Sequence, residues 1–310
     1  EYAITSSKVR VKRMTYKEVE HILTKKKDTP LHYMLQVAQL RKKFRNEAEQ
    51  SRMPKHRVTV NEQGTVSLTT ETYPLSQLLV QELMIVAGEI AGTYAVRNKV
   101  PVPYRVQDEP LEGYEKVPTD QHPWVYSSMS MQYMQRARHD NDVSKHHSMN
   151  LPNYVRVTSP IRRFADYLAH VNIKAHMRHK QLNTAGDVQY PFSNAVLSHT
   201  LPWLDVRDRH VRNIQRVCEN QWKNSVIVVD RNYDGVVIMA YQPRSDQFHR
   251  AASRQIYRVC IPELGMEVTV NEFLKSHQPL LYNQGEDVNM RTAFAGNGDN
   301  KYIVWQFAPK

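Results

Sequence analysis

The feature that most limits the fold is a change of period at Ser225. Beyond it SVIVV, GVVIMA, IYRVCI, MEVTV, DVNMRTAF and KYIVWQF follow one another up to Phe307. These runs are short and evenly spaced, and several alternate apolar with polar residues. That spacing predicts a small closed barrel of five strands. Upstream, apolar residues recur at helical spacing. The chain therefore reads as α+β, with a helical portion over residues 1–225 and a β portion over 226–310.

Local signals divide the first portion further. Thr15 followed by Glu18 is a capping box that opens a short helix to about Leu23. A second helix is predicted from Leu31 to Gln50, and HRVTV, NEQG and TVSLT form a hairpin turning at Gly64. Ser76 caps a long helix to Arg97, with Leu79, Leu83, Val86, Ile90 and Tyr94 as its buried stripe. Residues 108–125 read as a proline-broken loop, followed by a helix from Ser127 to Arg138 and the polar loop HDNDVSKHH. A helix from Ile161 to about His179 has Pro160 near its first turn. A partly buried helix over 202–225 carries Val206, Val211, Ile214, Cys218 and Trp222.

Composition removes several classes. A chain of 310 residues, 41% of them hydrophobic, is long and apolar enough for a sizeable core, which argues against disorder. No uninterrupted apolar stretch approaches membrane-spanning length, so an integral membrane protein is not expected. Cys218 and Cys260 have no CxxC neighbour, which argues against a disulfide scaffold or a thiol-rich metal module and fits reducing surroundings. Neither GxGxxG nor GxxxxGK[ST] occurs, which weakens dinucleotide and P-loop readings. The opening EYAITSSKV has no initiator Met or signal-like run, as in a mature or excerpted chain. Net charge is +11, and residues 1–60 hold 15 Lys/Arg against 6 Asp/Glu, a net +9. Such a surface is either a solvated face or one that meets a polyanion.

The segment richest in chemistry is YVRVTSPIRRFADYLAHVNIKAHM. Thr158 and Ser159 can cap a helix whose first turn presents Arg162 and Arg163; backbone donors and guanidinium groups together suit a phosphate. Asp166 and His170, four apart, share a helical face and can pair. The plainer alternative makes one arginine a salt-bridge partner and His170 a polar core residue. His146 with His147, and His176 with His179, read as surface or phosphate-facing residues rather than metal ligands. Asp140 and Asp142 read as a solvated turn, and Cys218 as a packing residue.

TSPIRRFADYLAH closely resembles the signature of the RNase II/RNB family of processive 3′-to-5′ exoribonucleases. VRVKRMTYKEVEHIL resembles that family's mid-domain segment, and LLVQELMIVAGEIAGTYA with PVPYRVQDEP resembles its later helix and turn. The matches run in family order over residues 1–225, and the rest resembles the family's C-terminal OB-type RNA-binding domain. The resemblance implies metal-dependent hydrolysis releasing nucleoside 5′-monophosphates, with Mg2+ or Mn2+ held by an aspartate cluster. It makes Arg162 the catalytic arginine on the substrate phosphate and Arg163 its basic neighbour. The family's aspartate cluster and cold-shock-like domains precede the segment matched at Val9, so this stretch is expected to hold no metal and to be inactive alone. The link between PVPYR and TSPIRR is shorter than usual, and Gln215 stands where the family often has an acid, beside Arg216, which can still meet phosphate. In the barrel, Arg231 and Tyr233 are expected RNA contacts, Tyr233 by stacking, whereas Trp305 and Phe307 are expected in the core.

The implied partners are single-stranded RNA and a mitochondrial RNA helicase or ribonucleoprotein assembly, with no membrane. The implied compartment is the mitochondrion, since the PYRVQ segment and the divergent barrel resemble fungal mitochondrial members. A second reading is a noncatalytic RNB-like RNA-binding or structural component of a ribonucleoprotein particle.

Overall fold

In the computed structural model, residues 4, 7–25, 29–45, 56–69, 73–183, 186–241, 252–275, 280–295 and 302–308 are described. They fall into two compact units. One gathers residues 1–48, 72–110 and 135–212, the other 49–71, 111–134 and 213–310. The units interleave along the sequence rather than meeting at one boundary near residue 225.

The first unit begins with α1 (Tyr16–Lys25) and α2 (Pro30–Phe44). The capping box forms: Thr15 N–H donates to Glu18 Oε2 at 2.6 Å, and Glu18 N–H to Thr15 Oγ1 at 3.2 Å. The Thr15 N–H, and then the Thr15 hydroxyl, which also donates to Oε2, hold the Glu18 carboxyl below its ordinary range. Gln50, the expected end of α2, lies outside the described residues.

α3 (Pro74–Asn98) starts two residues ahead of Ser76, which is buried in the first turn and donates to Tyr73 O at 3.2 Å. The cap comes from α1 instead. Glu20 accepts the N–H groups of Leu75 (3.2 Å) and Ser76 (2.8 Å), placing a carboxylate on the helix's positive end. The buried face also departs from expectation. Leu79 is on it, but so are Glu82, Ile85, Gly88, Ala91, Gly92 and Ala95, while Leu83, Val86, Ile90 and Tyr94 are only partly buried. Close backbone approach explains the shift. A Cβ on Gly88 would lie 2.2 Å from Tyr154 Cε2, and one on Gly92 would lie 2.4 Å from Asn153 Oδ1. The two glycines seat the strand-like segment 153–155, and Val155 N–H donates to Gly88 O at 3.2 Å.

By length and composition alone α3 could cross a membrane, although Glu82 and Glu89 interrupt its apolar run. Here its face carries Glu82, fully buried against Arg45 of the α2 C-terminus, and Glu89 pairs with Arg41. A helix held by buried ion pairs to its neighbours has its polar groups matched by the fold rather than by lipid.

β3 (Tyr104–Val106) is buried throughout and pairs antiparallel with β4 (Arg138–Asp140), Arg105 opposite His139. Arg138 and the start of HDNDV thus form a strand, not a helix end and loop. The helix before it, α4 (Pro123–Tyr133), starts earlier than expected because His122 caps it, Nδ1 accepting Trp124 N–H, and Pro123 opens it. α5 (Phe164–Gln181) starts three residues later than expected, since residues 160–163 form a turn. α6 (Asn194–Asn224) packs Leu197, Leu201 and Leu204 with Ala165 and Leu168 of α5. Val206, Val211, Ile214, Cys218 and Trp222, expected partly buried, are exposed. Their helical spacing is real, but between Leu204 and the buried Lys223 no residue of α6 is buried.

The second unit is built on a five-stranded antiparallel sheet in the order β7-β6-β5-β8-β9. The strands are β5 (Asn232–Tyr241), β6 (Ala252–Ile261), β7 (Met266–Lys275), β8 (Asp287–Ala295) and β9 (Tyr302–Phe307). The edge strands β7 and β9 touch, giving a near-closed OB-like barrel. SVIVV is not a strand; N–H groups of Ser225, Val226 and Ile227 turn back onto Trp222, Lys223 and Asn224 carbonyls. Tyr233, Val237, Tyr257, Val259, Ile261 and Met290 fill the barrel, with Trp305 and Phe307 packed against them as expected. The hairpin β1 (Arg57–Val60) and β2 (Val66–Thr69) turns at Gly64 with φ +78°, and Leu68 packs on this same core.

Candidate nucleic-acid interface

The TSPIRR turn is organised from within. Asp166 in the first turn of α5 is completely buried. Its Oδ2 accepts Ser159 N–H at 2.9 Å and Arg163 Nη2 at 2.7 Å, while Arg163 also donates to Thr158 Oγ1 at 2.9 Å. The N–H groups of Arg162 and Arg163 both donate to Ser159 O. Arg163 is thereby committed to the fold. Arg162 is exposed, and its side chain makes no hydrogen bond or ion pair among the described residues. Asp166 and His170 do not pair with each other, because His170 Nε2 bonds Val157 O at 2.6 Å. Of the two arginines, Arg162 is the one the turn leaves available to a phosphate.

Behind the turn lies a buried polar layer that spacing did not reveal. Asp205 of α6 accepts His139 N–H at 2.7 Å, bonds His139 Nδ1 at 2.7 Å and takes Arg105 Nη1 at 3.1 Å. Burial works against the Asp205 charge, but the His139 bonds and Arg105 outweigh it and hold its carboxyl below the ordinary range. Burial, then the nearby Arg156, lower Arg105 to about 10 despite Asp205. His146, expected at the surface, is 5% exposed and bridges Gln107 and Leu151. Burial first, then Arg105 and Arg156, push it down to about 4. Nothing in the sequence spacing pointed to this layer, whose β3–β4 pairing appears only in the fold. His176 lies against Tyr190 and Tyr94, and Asp140 turns back on Asp142 N–H.

The His146 shift has a testable consequence. Below its ordinary value of 6.5 the unfolded chain takes a proton that the folded chain refuses until about pH 4. This group's contribution to stability is therefore complete above pH 6.5 and lost as pH falls toward 4. Urea midpoints should fall more steeply for the natural chain than for His146→Gln across that window. Parallel slopes would contradict the shift.

The sites expected in the second unit stand differently. Arg216 is exposed on α6 and reaches Asn213 Oδ1 at 2.9 Å. Arg231 pairs with exposed Glu263 at 2.7 Å and lies 4.8 Å over the Tyr233 ring. Tyr233 itself is 2% exposed, its hydroxyl accepting Val228 N–H and its ring meeting Trp305 at 5.3 Å. With both ends of the ring engaged in the barrel core, it presents no face for the base stacking expected of it. Arg162 and Arg163 lie in the first unit, and Arg216, Arg231 and Tyr233 in the second. Among the described residues no three His, Cys, Asp or Glu side chains converge to hold a metal. The divalent cation implied by the resemblance finds no ligand set among the described residues.

The model for the RNB domain matches residues 1–117 and 111–179. An uncharacterized ribonuclease of Synechocystis is 31% identical over 180 residues, 56% of this chain and 27% of that protein. A ribonuclease II of Arabidopsis thaliana, described as chloroplastic/mitochondrial, is 27% identical over 72% of this chain and 28% of its own length. The structure of Mycoplasma genitalium RNase R with ribose-methylated single-stranded RNA aligns at a TM-score of 0.67 with 14% identity, covering 90% of this chain and 50% of that one. The chain thus spans well under a third of these two curated relatives.

Proposed function

The chain belongs to the RNB family, and on that premise we propose that it is the C-terminal part of a 3′-to-5′ exoribonuclease of RNase II type. The whole enzyme would use Mg2+ or Mn2+ and release nucleoside 5′-monophosphates from single-stranded RNA. Residues 1–310 would grip the strand without hydrolysing it. The observation carrying this reading is the TSPIRR turn, where buried Asp166 fixes Arg163 and leaves Arg162 outward and unpaired. Arg162 is the catalytic residue in this reading, Arg216 and Arg231 are further contacts to RNA, and Arg163, its Nη2 tied to Asp166 and Thr158, offers only the rest of its guanidinium. This reading places the enzyme in the mitochondrion beside an RNA helicase or ribonucleoprotein partner; the organellar name of the Arabidopsis relative supports the location alone.

Purified residues 1–310, given Mg2+ and a 3′-overhang RNA, should retain the RNA and leave its length unchanged. Retention should weaken about tenfold or more between ~50 and ~200 mM salt, because bound phosphates release counterions. Stepwise shortening in contaminant-controlled preparations would overturn the inactive half; no retention at low salt would overturn RNA binding.

A noncatalytic RNA-binding role in a ribonucleoprotein particle is the second reading. It is motivated by Gln215, which supplies no carboxylate where the family often has an acid, and by the retained net charge of +11. Release of 5′-monophosphates by the complete natural polypeptide would exclude it.

A further inference from the structure

Arg156 is a half-buried guanidinium two residues before Thr158, and it makes no hydrogen bond or ion pair among the described residues. Its surroundings are already crowded with cations. Desolvation, then Arg163, lower its affinity for its proton, and Tyr154, Asp166 and Asp208 oppose them. The backbone brings Arg105 and Arg163 to either end of this segment. Arg105 N–H donates to Tyr154 O at 2.8 Å, two residues before Arg156, and Arg163 Nη2 to Thr158 Oγ1 at 2.9 Å, two residues after it. Arg156 and Arg212 both lower Arg105.

The acids here are mostly committed elsewhere. Asp166 Oδ2 holds Arg163 and Ser159 N–H. Asp205 is shared between Arg105 and His139. Asp208 attracts Arg156 without bonding it. His146, lowered to about 4, is neutral at pH 7 and adds no charge of either sign. Several polar atoms in this layer are buried with no partner: Arg105 Nε, Arg163 Nε, His139 Nε2 and His146 Nδ1. Arg105 is 4% exposed and His146 5%, so water on an open surface does not satisfy them.

A desolvated cation without a bonded acid, beside unsatisfied donors, is a poor arrangement for stability and a good one for an anion. Guanidinium groups in particular match the oxygens of a phosphate in pairs. We propose that Arg156 is the centre of an anion subsite, flanked by Arg163 and backed by Arg105, that takes one phosphodiester group of a bound RNA strand. The subsite rests on the RNA-binding reading above for its source of phosphate. Its chemistry, a tetrahedral phosphate on guanidinium donors, is shared with free inorganic phosphate. Arg105 and His139 act as positioning residues, holding the layer through Asp205.

Two measurements on the 310-residue chain test it. In the first, inorganic phosphate is titrated while the side-chain Nε–H signals of arginine are followed by NMR. Arg156, identified by its loss in Arg156→Gln, should shift. In the second, single-stranded RNA binding is measured against salt for the natural chain, Arg156→Gln, Arg156→Lys and Arg178→Gln, a charge removed from the far end of α5. Arg156→Gln should weaken binding about 5–10-fold at low salt and reduce the slope of log affinity against log salt by about 0.7, one phosphate contact on a single strand. Arg156→Lys should keep the slope, and Arg178→Gln should keep both affinity and slope. If Arg156→Gln loses affinity with its slope intact, the residue is structural and the subsite is refuted. An unchanged affinity refutes it equally. Should the natural chain fail to bind RNA, the RNA reading fails, and the phosphate titration still decides the subsite: a silent Arg156 signal overturns it.

Discussion

Replacing Glu82 by alanine should cost about 3–5 kcal/mol of stability, the loss characteristic of leaving one charge of a buried pair uncompensated. The side chains of Arg45 and Glu82 are each 1% exposed. Arg45 also donates to Met149 O at 3.0 Å, and its own carbonyl accepts Asn150 Nδ2 at 3.2 Å. Removing the carboxylate therefore takes a buried acid from the guanidinium at the junction of α2, α3 and the turn around residue 149. Arg45→Met combined with Glu82→Leu should recover most of the loss, since a well-packed apolar pair can replace a buried ionic one. Urea midpoints of the three proteins give the comparison. A single-variant loss under about 1 kcal/mol would show that water reaches the pair.

The second large effect belongs to Arg162. In the complete natural polypeptide, Arg162→Ala should raise the barrier to RNA cleavage by about 2–4 kcal/mol while long-RNA affinity changes little, because remote phosphate contacts persist. Lysine should restore only part, lacking the planar fork. Because the Arg162 side chain is exposed and has no partner among the described residues, thermal stability should move by no more than about 0.5 kcal/mol. Single-turnover cleavage at saturating RNA separates chemistry from binding; an unchanged chemical rate would remove Arg162 from the mechanism.

The capping box at Thr15, the hairpin at Gly64 and the five barrel strands were legible because each is a local signal with a local cause. The buried face of α3 was not. Periodicity ranks positions by apolarity, and there the selected property was smallness, Gly88 and Gly92 making room for Asn153 and Tyr154. The strand over Arg138–Asp140 was hidden because its partner lies more than thirty residues away and its own residues are charged. In the candidate site, Arg162 and Arg163 were read from the motif, but their division of labour depends on Asp166, whose helical neighbour His170 looked the better partner. Tyr233 failed as a stacking residue for a similar reason: alternation along a strand does not say which side of a closing barrel faces inward. The Arg105, His139 and Asp205 layer joins three distant segments, and no short-range pattern announces it.

The interleaving of the second unit bears on how the chain is made. Ribosomes deliver the β1–β2 hairpin and α4 long before the barrel they belong with. Leu68 packs on a core that includes Phe307 of the last strand. At ordinary translation rates of about 5–20 residues per second, the hairpin waits on the order of ten to fifty seconds for that strand to emerge. The first unit has all its segments once Arg212 has been added, so it can fold while the hairpin and α4 remain without their partners. During that interval these early segments are the part of the nascent polypeptide with most need of a chaperone.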